Sequence, residues 1–138
     1  MEHYLYLSSQ DSLYIHQNNK SADFTIDLPK TLHLKGDWEL ALINVQCNIS
    51  RKAPFYVLCN VVDQSYVRNT QLPILEHLYP AKIGPQQLSI ASPSYHRIAC
   101  PSIQHLRIYI KDSQLQPASF LSETFMCTLR LRQHGIYT

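Results

Sequence analysis

Residues 24–47 read FTIDLPKTLHLKGDWELALINVQC, and this stretch decides the fold. Phe24, Ile26 and Leu28 alternate with Thr25 and Asp27, the two-residue period of a half-buried strand. Pro29 has no N–H to give a sheet ladder and is expected to end that run. Leu32 and Leu34 carry the apolar side past it, and Lys35-Gly36-Asp37 supplies a turn. A denser strand follows, with Trp38, Leu40 and Leu42 on one face and Ala41, Ile43, Val45 and Cys47 on the other. The two runs read as a central β-hairpin. Its second strand is apolar on both faces, so it is buried on both, or packs on the core one way and on a partner the other.

Outward from this hairpin the same period recurs. His3–Ser8 sets Leu5 and Leu7 opposite Tyr4 and Tyr6, and residues 11–21 form an Asn- and Ser-rich loop. Phe55–Asp63 alternates Phe55, Val57, Cys59 and Val61 with Tyr56, Leu58, Asn60 and Val62. Residues 71–79, QLPILEHLY, are compatible with a strand or a helical turn, since Pro73 near the start permits both. Leu88 and Ile90 mark a weak strand and Tyr95–Ala99 another. His105–Lys111 alternates Leu106, Ile108 and Ile110 with Arg107, Tyr109 and Lys111. In the last strand, Phe125–Arg132, Phe125, Cys127, Leu129 and Leu131 share one face.

About eight strands separated by proline-marked turns, with no long amphipathic helix, point to an all-β sandwich or barrel. Long connections favour Greek-key crossings over a meander. The expected architecture is a single eight-stranded jelly-roll sandwich of two packed antiparallel sheets with Greek-key connections. An immunoglobulin-like sandwich ranks second, because the Cys…Trp…Cys order is missing. The expected core contains Phe24, Ile26, Leu28, Trp38, Leu40, Leu42, Val57, Leu106, Ile108, Leu129 and Leu131.

At 138 residues the chain reads as one domain, 1–138, able to bury roughly two thirds of its unfolded surface without disulfides. A net charge of +2 is too small to argue for nucleic acid as a partner. No apolar run approaches the roughly 20 residues of a membrane span. Residues 1–12 show neither a basic nor an apolar signal region, so no secretory signal is expected. Cys47, Cys59, Cys100 and Cys127 form no C-x-x-C pair and read as reduced thiols of the cytosol or nucleus. The sequons at Asn19 and Asn48 matter only in a secreted chain.

Catalytic motifs are missing. The seven histidines show no H-x-H or H-x-x-x-H spacing, so no metal cluster is expected, and neither is a cofactor. No nucleophile elbow, H-E-x-x-H helix or glycine-rich phosphate loop occurs. The expectation is therefore a protein that is not an enzyme. Asp37 and Glu39 flank Trp38 but read as strand-start carboxylates, solvated or paired with a neighbour's Lys or Arg. One polar pattern stands out: Arg107, Lys111, Arg130 and Arg132 project from the outer sides of the last two strong strands. Such a row is a candidate contact for a polyanion or a protein partner, although alternating charges also suit a solvated sheet. The nine tyrosines, Tyr137 among them, serve cross-strand packing or interfaces.

The run FTIDLPKTLHLKGDWELALINVQ resembles the pattern F-x-V-x-L-P-x-x-L-x-L-x-G-x-W-E-V-A-L-x-x-I. That pattern belongs to the short single-jelly-roll penton or minor capsid protein of Polinton, adintovirus and adomavirus-type elements. Phe24, Leu28, Pro29, Leu32, Leu34, Gly36, Trp38, Glu39, Ala41 and Leu42 carry the match. PFYVLCNVVDQSYV, QLPILEHLY, LRIYIKDSQLQPASF and TFMCTLRLRQ are similar to later segments of that family. The resemblance implies a structural capsid protein, a penton-type subunit forming the five-fold vertices of an icosahedral capsid. Its implied partners are itself, as a homopentamer, and the major capsid protein of the same element. Its implied place is the virion, after assembly in the host cytoplasm or nucleus. The alternative is a jelly-roll binding module, lectin-like or specific for a host protein, also without catalysis.

Overall fold

The structure, a computed structural model, describes residues 2–134. Tyr137 and the two ends of the expected 1–138 domain lie outside the described residues. Among these residues there is no helix, and none is long and apolar enough to cross a membrane. The strands are β1 (Glu2–Ser8), β2 (Asp23–His33), β3 (Trp38–Ile49), β4 (Phe55–Cys59), β5 (Ser65–Val67), β6 (Thr70–Leu72), β7 (Ile74–Leu78), β8 (Gly84–Ser89), β9 (His96–Arg97), β10 (Ser102–Asp112) and β11 (Met126–Gln133). Residues 71–79 thus hold the end of β6 and all of β7, with Pro73 between the two strands.

One sheet runs β1-β11-β3-β8, with β9 also paired to β3; a second runs β2-β10-β4-β7; β5 and β6 form a two-stranded ribbon. All pairings are antiparallel. Both main sheets feed one hydrophobic cluster, as the facing layers of a β-sandwich do. Phe24 of β2 meets Phe125, just before β11, at a ring separation of 6.1 Å. Every expected core residue, from Phe24, Ile26 and Leu28 through Trp38, Leu40, Leu42 and Val57 to Leu106, Ile108, Leu129 and Leu131, is buried in this cluster.

The expected central hairpin is overturned. β2 and β3 do not pair; they belong to opposite sheets, and Lys35-Gly36-Asp37 carries the chain from one layer to the other. β2 pairs with β10, and β3 lies between β11 and β8. Alternation reports that a segment is a strand and which face is apolar, but not which neighbour completes its ladder. Gly36 takes a φ of 90° at this corner, a conformation that costs a residue with a Cβ. Beside it the Trp38 indole N–H donates to the Lys35 carbonyl at 2.9 Å, which satisfies the one polar atom of a buried ring.

Pro29 does not end β2 either. The register passes from Ile103 opposite Leu32 to His105 opposite Asp27, so residues 28–31 bulge against Gln104. β2 is an edge strand, where a missing N–H is tolerated. The Gln104 side chain replaces the local ladder: its amide donates to the Leu28 carbonyl at 3.0 Å, and its carbonyl accepts from the Thr31 hydroxyl.

A second bulge corrects the faces assigned to β3. Thr128 pairs with Asn44 and Leu129 with Leu42, which leaves Ile43 as an extra residue. Alternation inverts there. Val45, Cys47 and Ile49 therefore join Trp38, Leu40 and Leu42 in the core, instead of lying opposite them. Much of the apolar surplus expected for a partner is used inside. Leu58 of β4 is also fully buried; it pairs with Ile74 of β7 outside the main cluster.

Cys47, Cys59 and Cys127 are buried free thiols, and Cys100 is half-buried. Burial pushes the Cys47 thiol up to about 11 and that of Cys59 to about 12, and raises Cys127 as well.

Trp38→Ala should cost about 3–5 kcal/mol in denaturant melts, the range for large buried side chains; a loss below about 1 kcal/mol would show that the ring does not support the core. In a thiol-reagent titration at about pH 8, Cys100 should react well before the other three cysteines. A reductant should leave the melting temperature unchanged, and an intramolecular disulfide found by mass spectrometry would contradict this placement. Because folding raises the thiols above their ordinary value of 9.0, the stability they carry is complete below that pH. It should be lost as pH rises through about 11 to 12, which alkaline denaturant melts would read.

Candidate functional site

The four basic residues singled out in the sequence do not share a surface. Arg107 and Lys111 point outward from β10 in the second sheet, and Arg130 and Arg132 from β11 in the first. The core lies between the two layers, so the pairs occupy opposite outer faces. Three of them also have carboxylate partners. Arg107 grips Asp23 with two hydrogen bonds of 2.9 and 2.8 Å, and this contact holds its pKa above the ordinary value. Arg130 is paired with Glu2, whose hydrogen bond likewise raises it, and donates to the Tyr95 hydroxyl at 3.0 Å. Arg132 donates to Glu39 at 2.6 Å while its guanidinium lies 3.4 Å from the centre of the Tyr95 ring. Lys111 reaches the Leu115 carbonyl at 3.5 Å. Of the two readings open for Asp37 and Glu39, pairing holds: Glu39 pairs with Arg132, and Asp37 with Arg97 at 3.2 Å.

A different constellation forms where the sequence predicted none. His16, Asp27 and His105 converge on the outer face of the second sheet, with their ligating atoms all within 4.8 Å of one another. His105 stands directly opposite Asp27 across the β2–β10 ladder. His105 Nδ1 lies 2.5 Å from Asp27 Oδ1, and His16 Nε2 lies 2.9 Å from the same oxygen. These hydrogen bonds, first from His16 and then from His105, hold the Asp27 carboxyl below its ordinary value. Asp27 and His16 side chains keep 21% and 30% of their surface exposed, and His105 keeps 59%, so the trio is open to small solutes.

The loop that brings His16 here is firmly placed. The Asn19 side chain accepts from the Thr25 N–H at 2.9 Å and donates to the Thr25 carbonyl at 2.8 Å, which fixes the loop against β2. Ser12, held at φ 58°, accepts the Asp27 N–H through its hydroxyl, and its carbonyl accepts the His16 N–H at 2.8 Å. A non-glycine residue in this region stores strain that its surroundings must offset.

Histidine spacing, from which no metal cluster is expected, does not reveal this convergence of three possible ligands. The three residues are 11 and 78 positions apart, and only the loop and the bulged β2–β10 register unite them. No short motif could reveal them; the signal was an outward Asp on one strand and an outward His on another. Two imidazoles and a carboxylate suit a divalent transition ion better than a hard cation. Among the described residues, no serine hydroxyl or thiol is hydrogen-bonded to a histidine; the Tyr79 hydroxyl lies 3.4 Å from His77 Nδ1.

Another cluster consists of aromatic rings. His77 stacks on Tyr56 at 4.1 Å with the planes 10° apart, and Tyr79 lies 4.9 Å beyond. Burial lowers the His77 pKa, because desolvation disfavours the charged ring. The sequence matches no protein-family model, and none of the curated proteins compared with it is similar.

Because Arg107 and Arg130 are already neutralised and face apart, duplex DNA should bind weakly, and Arg107→Gln or Arg130→Gln should not change that binding. A log–log salt slope of several times −0.9, lost in these variants, would instead mark a phosphate-binding surface.

Proposed function

We propose that this chain is a structural capsid subunit of the penton type, a single eight-stranded jelly roll that forms the five-fold vertices of an icosahedral capsid. The observation that carries the reading is the interleaved sheet order, β1-β11-β3-β8 against β2-β10-β4-β7. Setting aside β9 and the β5–β6 ribbon, the first strand lies beside the last and the second beside the last but one. Further in, β3 lies beside β8 and β4 beside β7. This is the order of a chain folded back on itself and wound into two Greek keys.

The sequence resemblance of residues 24–46 supports the same conclusion, and its residues do structural work here. Trp38, Leu42, Phe24 and Leu28 are core, Gly36 turns the corner between sheets, and Pro29 sits in the bulge. In this reading the chain has no catalytic role. In this reading the major capsid protein of the same element is the second partner. The chain ends in the virion, assembled in the host cytoplasm or nucleus.

A five-membered ring needs a heterologous contact, one patch meeting a different patch on the next copy. Two aromatic patches suit this. Tyr4, Tyr6 and Met126 are exposed on the outer face of the first sheet, and Tyr79 is exposed beside the Tyr56–His77 stack of the second. Aromatic residues and Met are enriched at such interfaces, and each contact should bury about 1,200 Å² or more.

Light scattering on the purified chain, alone and with neighbouring capsid subunits, should give a pentamer in at least the second case. Tyr6→Glu and Tyr79→Glu should each abolish it without lowering the melting temperature. A stable dimer, a monomer that persists beside its neighbours, or a reconstructed particle with the chain off the five-fold axes would refute the proposal. The same monomer binding a glycan or host protein would favour a binding module.

A further inference from the structure

We propose that His16, Asp27 and His105 bind one divalent transition-metal ion, and that the ion clamps the β1–β2 loop to the outer face of the second sheet. This inference does not depend on the capsid reading. Three features carry it: the donor set, the convergence of its atoms and the rigidity of its supports.

The donors are His16 Nε2, His105 Nδ1 and the Asp27 carboxylate, with every pair of ligand atoms within 4.8 Å. Around an ion with bonds of about 2.0–2.1 Å, tetrahedral ligands sit roughly 3.4 Å apart. The two contacts at Asp27 Oδ1, 2.9 and 2.5 Å, are already as short as those edges. Closing the remaining edge falls to His105, the most exposed of the three side chains and the freest to turn. Imidazole and carboxylate together favour Zn²⁺, Co²⁺ or Ni²⁺, whereas Ca²⁺ and Mg²⁺ require mainly oxygen donors. Three protein ligands leave a position for water on the exposed side.

The supports lie in different parts of the chain. Asp27 and His105 are a cross-strand pair on β2 and β10, and His16 belongs to the loop held by Asn19 and Ser12. Such preorganisation matters because a loosely held site would spend its binding energy on ordering its ligands. On binding, each imidazole turns a lone pair toward the ion and carries its proton on the other ring nitrogen, or releases it to solvent if it was charged. The two hydrogen bonds to Asp27 are replaced by coordination, and the loop stays tied to the sheet.

The test is titration of the full-length chain with ZnCl₂ by calorimetry and with CoCl₂ by visible absorption, each beside a melting curve. One equivalent should bind and raise the melting temperature, since an ion that binds only the folded chain stabilises it. His105→Gln, at an exposed position, should keep the metal-free melting temperature, weaken binding by at least about 10-fold and abolish the Zn²⁺-dependent rise. His105→Cys should restore Co²⁺ binding with a new sulfur-to-cobalt charge-transfer band. His134→Gln, removed from the site, should bind as the parent does. CaCl₂ and MgCl₂ should leave the melting curve unchanged. Undiminished Zn²⁺ binding in His105→Gln would assign the ion to other surface histidines and overturn the proposal. So would the lack of any one-equivalent binding by the parent chain at about millimolar ion, which would leave the trio as a hydrogen-bonded latch.

Discussion

Side chains along a strand alternate between two faces, and the central strand β3 can serve one core over its length only by breaking that rule once. Under strict alternation from Trp38, Leu40 and Leu42, the next inward side chains would be Asn44, Gln46 and Asn48. Burying an amide without partners costs about 1–3 kcal/mol each on the evidence of protein mutants. The extra residue Ile43 inverts the pattern, so that Val45, Cys47 and Ile49 turn inward and Asn44 and Gln46 turn away, while Asn48 keeps its Oδ1 buried without a hydrogen-bond partner among the described residues. The same bulge divides one edge of β3, with β9 paired at Glu39 and Leu40 and β8 from Asn44 to Ile49. Packing in the first layer follows from this insertion.

The second layer has its own interruption, and the His–Asp–His cluster depends on it. If the ladder continued regularly from the Ile103–Leu32 pair, His105 would stand opposite Lys30. Residues 28–31, gathered against Gln104, bring it opposite Asp27 instead. A cation is exchanged for a carboxylate, and a repulsive pair for an attractive one once the imidazole is charged. Pro29 has a physical role in this: it cannot join a ladder, so the bulge sacrifices no N–H at that position.

The strands were legible because the two-residue period is a local property. Phe24, Ile26 and Leu28, and likewise Leu106, Ile108 and Ile110, declare their inward face with no knowledge of a partner. Pairing was not legible, because it depends on contacts across long separations. Lys35-Gly36-Asp37 has the composition of a hairpin turn, yet it joins two sheets. The bulges at Ile43 and at residues 28–31 leave little local trace, since each makes sense only against the strand beside it. For the same reason, Arg107 and Arg130 read as members of one outward row and stand on opposite faces. His16, Asp27 and His105 read as unrelated and meet. The acidic partners Glu2, Asp23 and Glu39 come from distant segments, so the neutralisation of the arginines was equally hidden.

The sheet order has a consequence in time as well as in space. β11 lies between β1 and β3, and β10 lies between β2 and β4. A nascent chain that has emerged as far as β9 therefore holds β1 and β2 without their ladder partners, and β3 and β4 each with one side open. Neither layer can close until β10 and β11 leave the ribosome, so folding is dominated by contacts between distant segments. Such topologies fold slowly, on a scale of about milliseconds to seconds once all the strands are available. Until then, the unpaired edges of several apolar strands are open to other copies of the same chain. Dense polyribosomes would place those edges side by side, and yield of folded protein should depend on synthesis rate and on holding chaperones more than on final stability.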